Sequence, residues 1–167
     1  MFLAMFIVFL PTYCQKCLGF DKNTTSIYVL VTIVIYAISV LVGGRVADRI
    51  GNIATQAIGI ILALILIVPL AVSLILKGSL ILVFIVPFAF ANGLINANYM
   101  CVVLNRFKKE QRFSGLAITQ NLAMAIFTGG LPILFAYLAV DLKIIAAPFY
   151  ILVVIYIISL FSLFDRK

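Results

Sequence analysis

Six long apolar runs dominate this chain of 167 residues and leave little choice of fold. Hydrophobic residues make up 66% of the sequence and charged residues 10%, so the folded chain could not cover its surface with polar groups in water. About 20 apolar residues in a helix cross a bilayer core of roughly 30 Å, and the runs lack the alternation of barrel strands. The sequence therefore predicts an all-α polytopic membrane protein with a single transmembrane domain over 1–167. Its six expected helices are 1–14, 25–44, 54–75, 80–104, 114–139 and 146–164.

The basic residues predict how the chain is oriented. The loops on one side of the membrane carry Arg45, Arg49, Arg106, Lys108, Lys109, Arg112, Arg166 and Lys167. The loops on the other side carry Lys16, Lys22, Lys77 and Lys143. Cytoplasmic loops are enriched in Lys and Arg, so we expect the first side to face the cytoplasm and both termini to lie inside the cell (inner) membrane. The net charge of +7 is then a topology signal, and we expect no nucleic-acid partner.

The first expected helix is short. Residues 1–14 would span about 21 Å at 1.5 Å per residue, which is less than a full crossing. No basic segment precedes this run and no small-residue cleavage site follows it, so a signal peptide is not expected. A truncated or split reading frame that begins inside a helix is the simplest interpretation.

A charged decapeptide, 44–53, lies between the second and third apolar runs. It reads Gly-Arg-Val-Ala-Asp-Arg-Ile-Gly-Asn-Ile, and its position predicts a tight, water-facing turn between two membrane helices. The segment resembles the G-x-L-x-D-R-x-G-R-R/K loop of the major facilitator superfamily, which joins the second and third helices of each transporter half. Asn52 and Ile53 stand where that loop has a basic pair.

The resemblance extends along the rest of the chain. The stretch 10–13 (Leu-Pro-Thr-Tyr) followed by Gly19 is similar to the end of the seventh helix in the metabolite:proton symporter family, whose best-known members carry proline and betaine. The stretch 105–115 is similar to that family's E-x-F-P-x-x-x-R-x-S/T-G, with Asn105 in place of Glu and Lys108 in place of Pro. The match continues through Asn121, Phe127, Gly129, Gly130 and Pro132. The resemblance implies the C-terminal six-helix half of a facilitator, built from two three-helix repeats.

The two loops supply the candidates for a cytoplasmic gate: Gly44, Arg45, Asp48, Arg49, Gly51 and Arg112. We expect the glycines to allow a tight turn and a close helix approach. We expect Asp48 to accept hydrogen bonds from a neighbouring helix N-terminus, and the arginines to pair with carboxylates or lipid headgroups. Because Asn105 replaces the family's acid, Arg112 should turn to Asp48, Glu110 or a lipid phosphate. The alternative is a solvated turn whose charges only set the topology.

Polar residues inside two expected helices could line a substrate path. Asn92, Asn96 and Tyr99 occur at i, i+4 and i+7, so they form one stripe, and Gln120 and Asn121 lie on the next helix. An unpaired amide in hydrocarbon is costly, so these side chains must face protein or water. They would then either line a solute path or form interhelical hydrogen bonds worth about 0.6–2 kcal/mol. The sequence does not decide between the two.

Small residues predict where helices approach closely or weaken. Ala89, Gly93 and Ala97 form one small stripe. A second small-and-polar stripe on the next helix contains Ala117, Asn121, Ala125 and Gly129. The pair 129–130 (Gly-Gly) before Pro132 should weaken the helix there, as a moving bend or a static kink.

The sequence offers no catalytic constellation. There is no Ser-His-Asp set, no phosphate-binding glycine loop and no His at all. Cys14 and Cys17 form a lone C-x-x-C, and Cys101 lies on a distant helix, so neither a metal site nor a redox site is expected. We therefore expect no enzyme and no cofactor.

The acidic residues all fall outside the expected spans: Asp21, Asp48, Glu110, Asp141 and Asp165. Proton-coupled carriers usually need a titrating group in the membrane, so a proton site would belong to a missing half. Two hypotheses remain. The chain is half of a secondary active carrier in the bilayer, paired with an N-terminal half or with itself, and moves a small polar solute such as proline, glycine betaine or a small carboxylate. Alternatively, it is a non-transporting remnant or scaffold.

Overall fold

The computed structural model describes residues 9–78 and 80–164, and every regular element in this part of the chain is a helix. The first helix in the described residues is the short α1, Leu10–Thr12, which continues as a π-helical turn, Tyr13–Cys17. The long helices that follow are α2 (Lys22–Ile50), α3 (Asn52–Ile75) and α4 (Ile81–Leu104). Most of the expected first helix, 1–14, lies outside the described residues.

The segment after α4 is interrupted. A 3-10 turn (Lys109–Gln111) leads into α5 (Arg112–Ala123), and a π-helical turn (Met124–Gly130) leads into α6 (Leu131–Ala136). A second π-helical turn, Tyr137–Asp141, ends this segment, which we call the broken span (Lys109–Asp141). The last helix is α7 (Ala147–Phe164). In the described part of the chain, α2, α3, α4, the broken span and α7 are long and apolar enough to cross a membrane, which confirms the predicted all-α membrane fold.

The decapeptide is not a loop, so the prediction of a turn over 44–53 is wrong. Helix α2 continues to Ile50 and α3 begins at Asn52, which leaves Gly51 alone between them. The helix continues because 45–50 contains neither Gly nor Pro. Gly51 has φ +90°, a conformation strained for residues with a side chain, and its N–H donates to the Ala47 carbonyl over 2.8 Å.

Helix α4 packs between α2 and α3 through small residues. A Cβ placed on Gly93 would clash with Ser39 of α2, and one placed on Gly43 would lie 2.8 Å from the Ala97 Cβ. On the other flank, a Cβ on Gly59 of α3 would lie 2.9 Å from the Ala91 carbonyl oxygen. The predicted small stripe of α4 is thus confirmed as a face of close helix approach.

The broken span is attached loosely to the rest of the bundle. Only 11% of its most apolar stretch is buried, compared with 50% for α4. It contacts α4 near its start, and the π-helical turn of α1 and helix α7 near its end. The predicted weakening at 129–130 is confirmed, because a π-helical turn ends there, just before Pro132. Proline lacks the N–H that a regular helix needs, and the wider turn accommodates that loss.

Candidate functional site

The charged gate candidates lie on the last two turns of α2. Arg45, Asp48 and Arg49 are exposed, and no salt bridge joins them within the described residues. Gly44 has open space around it, so the close helix approach predicted there is wrong. The close approach is made by the preceding residue, Gly43, which lies on the side of α2 that faces α4. Gly51 provides the tight turn as predicted.

Arg112 forms a hydrogen bond within its own loop. Its Nε donates to the Phe107 carbonyl over 3.4 Å, and it pairs with neither Asp48 nor Glu110 in the described part of the chain. A Cβ on Gly115 would lie 2.6 Å from the Phe107 ring, so the loop folds back onto the first turn of α5. The acid partners that we expected for Arg112 are replaced by a backbone carbonyl of its own loop.

Arg106 is a residue whose role the sequence analysis missed. Its guanidinium donates to the Ser162 carbonyl over 2.7 Å and to the Leu163 carbonyl over 3.5 Å, at the C-terminal end of α7. The last carbonyls of a helix lack intrahelical partners and carry the negative end of its dipole, so a cation is stabilising there. Only the positive charge of Arg106 is visible in the sequence, because its partners are backbone atoms more than fifty residues away.

The loops gather at two opposite ends of the bundle. At the end opposite Arg106, the Tyr13 hydroxyl donates to the Ile145 carbonyl over 2.9 Å. The Lys77 Nζ lies 5.9 Å from the centre of the Phe20 ring at this same end. The segments before α2, between α3 and α4, and before α7 therefore share one end, as the loop grouping predicted.

Asn92 forms an interhelical hydrogen bond. Its Oδ1 accepts from the Tyr156 hydroxyl of α7 over 2.5 Å, and its Nδ2 donates to the Phe88 carbonyl over 2.9 Å. Both side chains are buried, and the Phe88 ring meets the Tyr156 ring edge to face. For Asn92 the structure therefore shows the interhelical alternative.

Two further buried amides were missed by the sequence analysis. Asn98 is 2% exposed and donates to the Leu94 carbonyl over 3.0 Å. Gln56 on α3 is buried too, and its Oε1 has no hydrogen-bond partner among the described residues. Neither amide falls on the Asn92 stripe, so only packing reveals that both are buried.

The remaining candidates for a substrate path are not enclosed by this bundle. Asn96 and Asn121 are exposed, whereas Tyr99 and Gln120 are half-buried. Asn96 lies eight residues before the end of α4, and Asn121 lies nine residues after the start of α5. At 1.5 Å per residue, both lie about 12–14 Å from the Arg106 end, near the middle of a core of roughly 30 Å. Two helices thus expose amides at a similar depth.

The described residues hold no group of three His, Cys, Asp or Glu side chains that could bind a metal ion. Cys14, Cys17 and Cys101 are free thiols. Burial raises the pKa of the Cys17 thiol above its ordinary value, an effect that the neighbouring Lys16 partly offsets. Cys17 is therefore a weak nucleophile near neutral pH.

Comparison with known families identifies the fold. The family model described as Major Facilitator Superfamily matches residues 1–167. This chain belongs to the major facilitator superfamily. It is accordingly a multi-pass membrane protein of a transporter family.

Curated relatives of this facilitator chain are longer. It is 30% identical over 155 residues to a protein of Staphylococcus haemolyticus (strain JCSC1435) named "Putative proline/betaine transporter", covering 90% of this chain and 32% of that protein. It is 27% identical over 162 residues to a protein of the same name from Staphylococcus aureus (strain COL), covering 93% of this chain and 34% of that protein. The facilitator chain thus spans about a third of the length of these relatives. No solved structure gives a significant match.

Proposed function

We propose that this chain forms the C-terminal half of a secondary active carrier, which binds a small polar solute between this bundle and an N-terminal half. Facilitators bind their solutes near the bilayer midplane, where two such bundles meet. This chain matches about a third of the length of each relative, so those longer proteins have room for a second bundle. We further propose that the carrier lies in the cell (inner) membrane with both termini in the cytoplasm, because the arginine-rich end is the more basic.

The exposed amides near the midplane carry this proposal. Asn96 and Asn121 lie at similar depths on α4 and α5, and neither is covered by the bundle. An amide that faces hydrocarbon without a partner costs several kcal/mol, of the order of 4–8 kcal/mol on an alkane scale. These side chains are therefore best explained by a polar partner at that depth, which a solute and its water would supply.

The broken span presents a face for the other half. Ala117, Asn121, Ala125 and Gly129 are all exposed, and they recur every four residues along the segment. Small side chains allow another helix to approach closely. The proposed occupant is a helix of the N-terminal half, and self-association is the alternative that the experiment below distinguishes.

The names of the relatives favour a zwitterionic solute such as proline or glycine betaine, and a small carboxylate is the second choice. The half-buried Tyr99 could offer its ring face to a quaternary ammonium group.

The chain has no His, and its described acids lie at helix ends or in loops. We therefore place the proton-coupling group in the N-terminal half. Arg45, Asp48 and Arg49 would close the cytoplasmic gate.

Uptake by the chain with and without a partner tests the proposal. Purified chain in liposomes under an inward pH gradient should accumulate no labelled proline or betaine above protein-free controls. Co-reconstitution with a candidate N-terminal half should restore uptake of proline, betaine or citrate. Accumulation by the chain alone would instead indicate a self-sufficient homo-oligomer, and no uptake by any pairing would favour the non-transporting scaffold.

Substitution of the two exposed amides tests their role in solute binding more specifically. Asn96→Ala and Asn121→Ala should each raise the KM for the solute by about tenfold, which corresponds to about 1.4 kcal/mol of lost binding. Asn105→Ala is the matched control, because Asn105 is exposed but lies in the loop after α4. Equal effects of the three substitutions on the KM would show that Asn96 and Asn121 do not line the solute path.

A further inference from the structure

The π-helical turn Met124–Gly130 lies near the middle of the broken span. Phe127, in this turn, is eighteen residues from one end of the span and fourteen from the other. The turn should therefore lie deep in the hydrocarbon core of the bilayer. A Cβ placed on Gly130 would meet no atom within 4 Å, so the described residues leave this side of the turn open.

In the part of the chain that the structure describes, the Phe127 carbonyl lacks a helical hydrogen-bond donor. In an α-helix it would accept from the N–H of Leu131, but that N–H donates to the Ile126 carbonyl. In a continued π-helix it would accept from residue 132, which is proline and has no N–H. The wider turn makes room for the Pro132 ring but does not replace the missing donor. A carbonyl without a donor is costly in hydrocarbon, so this one needs a partner from outside the bundle.

The next residue adds a hydroxyl without a partner. Thr128 is exposed, and its hydroxyl forms no hydrogen bond with any described residue. Thr119, on the same span, is exposed too, but its hydroxyl donates to the Gly115 carbonyl over 2.7 Å. Such a local bond satisfies a hydroxyl on a membrane helix without any other partner. The turn therefore presents an unfilled acceptor and an unfilled donor on adjacent residues.

An acceptor beside a donor matches the two polar groups of an α-amino acid. The protonated amine of such a solute has N–H groups that can donate to the Phe127 carbonyl, and its carboxylate can accept from the Thr128 hydroxyl. Both groups are attached to the same carbon atom, so they can reach adjacent residues together. A fully methylated ammonium has no N–H and would leave the carbonyl without a donor.

We infer that the Phe127 carbonyl and the Thr128 hydroxyl bind the ammonium and carboxylate groups of an amino-acid zwitterion that keeps at least one N–H. The inference rests on the proposed carrier, in which the broken span faces the other half. It adds a selectivity that the proposed function leaves open, because proline should be preferred to its fully methylated analogue. Pro132 determines this selectivity, since it removes the N–H that would otherwise occupy the carbonyl.

Proline, N-methylproline and N,N-dimethylproline test the inference, because the nitrogen of their zwitterions carries two, one and no N–H. Uptake is measured for the full-length chain reassembled with an N-terminal half. We expect similar KM values for the first two solutes and an about tenfold higher KM for the third, as the loss of one charge-assisted hydrogen bond predicts. Equal KM values would overturn the inference and leave the proposed carrier standing. No uptake of any solute would overturn both.

A proline substitution separates hydrogen bonding from the size of the solute. Pro132→Ala supplies an N–H to the carbonyls of the turn, so the KM of N,N-dimethylproline should fall to within about twofold of that of proline. Pro69→Ala is the matched control, because Pro69 lies inside another helix, α3, and the tenfold ratio should persist. A change in the flexibility of the span would alter both KM values together. An unchanged ratio in Pro132→Ala would therefore contradict the inference.

The two threonines test the carboxylate contact. Thr128→Val keeps the shape of the side chain but removes the hydroxyl, and should raise the KM for proline by about tenfold. Thr119→Val is the matched control, because the Thr119 hydroxyl is already bonded to its own helix, and it should change the KM by less than about twofold. Equal effects of the two substitutions would show that Thr128 does not bind the solute and would overturn the inference.

Discussion

Single side chains decide how α7 is held against the bundle. The Tyr156 hydroxyl bonds to Asn92 in the buried interior, and the Arg106 guanidinium bonds to the Ser162 and Leu163 carbonyls at the end of α7. The Tyr13 hydroxyl bonds to the Ile145 carbonyl just before α7 begins. The helix is therefore fixed at three depths by polar contacts, each made by one side chain from another element.

The interior contact should have a measurable coupling energy. Removing either partner by Asn92→Ala or Tyr156→Phe breaks the same hydrogen bond, so the double variant should be more stable than the sum of the single effects predicts. We expect a coupling of about 0.6–1.7 kcal/mol, measured as free energies of unfolding in mixed micelles. Asn96→Ala is the control, because Asn96 is exposed and should show no coupling to Tyr156→Phe. Strict additivity for Asn92 and Tyr156 would contradict the hydrogen bond.

Asp48 should matter for transport more than for folding. Its carboxylate is exposed on the last turn of α2 and has no salt-bridge partner within the described residues. In a carrier reassembled from two halves, Asp48→Asn should leave membrane insertion intact and lower the transport rate by about fivefold or more, as a lost coupling between gate states would. Asp141→Asn is the control. Asp141 is the last residue of the broken span, at the end of the bundle opposite Asp48, so its replacement should have little effect on transport. A parallel loss of protein and transport would mark Asp48 as structural.

Packing between elements depends on which glycine faces a neighbouring helix. Gly93 of α4 is pressed against Ser39 and Tyr36 of α2, whereas a Cβ placed on Gly44, six residues before the end of α2, would meet no atom within 4 Å. Gly129 and Gly130 of the broken span have open surroundings like those of Gly44, so within the described part of this chain they form the π-helical turn and contact no neighbouring helix.

This difference predicts opposite results for one substitution at two sites. Gly93→Ala should destabilise the fold by about 1–3 kcal/mol, because α2 and α4 must move apart to admit the methyl group. Gly44→Ala should be neutral or stabilising by up to about 1 kcal/mol, since alanine favours the helix and meets nothing. Unfolding in mixed micelles measures both. A larger loss at Gly44 than at Gly93 would be incompatible with this packing of α2 on α4.

Across the whole molecule, the bundle has a tightly packed part and a loosely attached part. Helix α4 lies between α2 and α3, and α7 packs against α3. The broken span contacts α4 near its start, and from Phe135 onward it packs against the segment before α2 and against α7. The arginine-rich loops lie at one end and the loops with Lys16, Lys22, Lys77 and Lys143 at the other. This separation is what a protein that crosses a bilayer with a preferred orientation requires.

Labelling of single cysteines tests that orientation. In a chain whose native cysteines are replaced by Ser, a Cys at Lys22 or Lys143 should react with an impermeant maleimide applied from outside. A Cys at Arg106 or Arg166 should react only after permeabilisation if the more basic end faces the cytoplasm as proposed. Replacement of Cys101 is essential, since its side chain is exposed. Reaction at Arg106 from outside would reverse the proposed topology.

Four features could be predicted before any packing was known: the fold class, the grouping of loops, the small face of α4 and the weak point before Pro132. These follow from hydrophobicity, charge and the chemistry of Gly and Pro, which act locally along the chain. Tertiary structure alone decided that Gly43 and not Gly44 meets α4, and that Asn92 binds Tyr156 while Asn96 stays exposed. It also gave Arg106 and Arg112 backbone carbonyls as partners. Helical periodicity places residues on a common face, but the rotation of each helix against its neighbours depends on the packing of all of them.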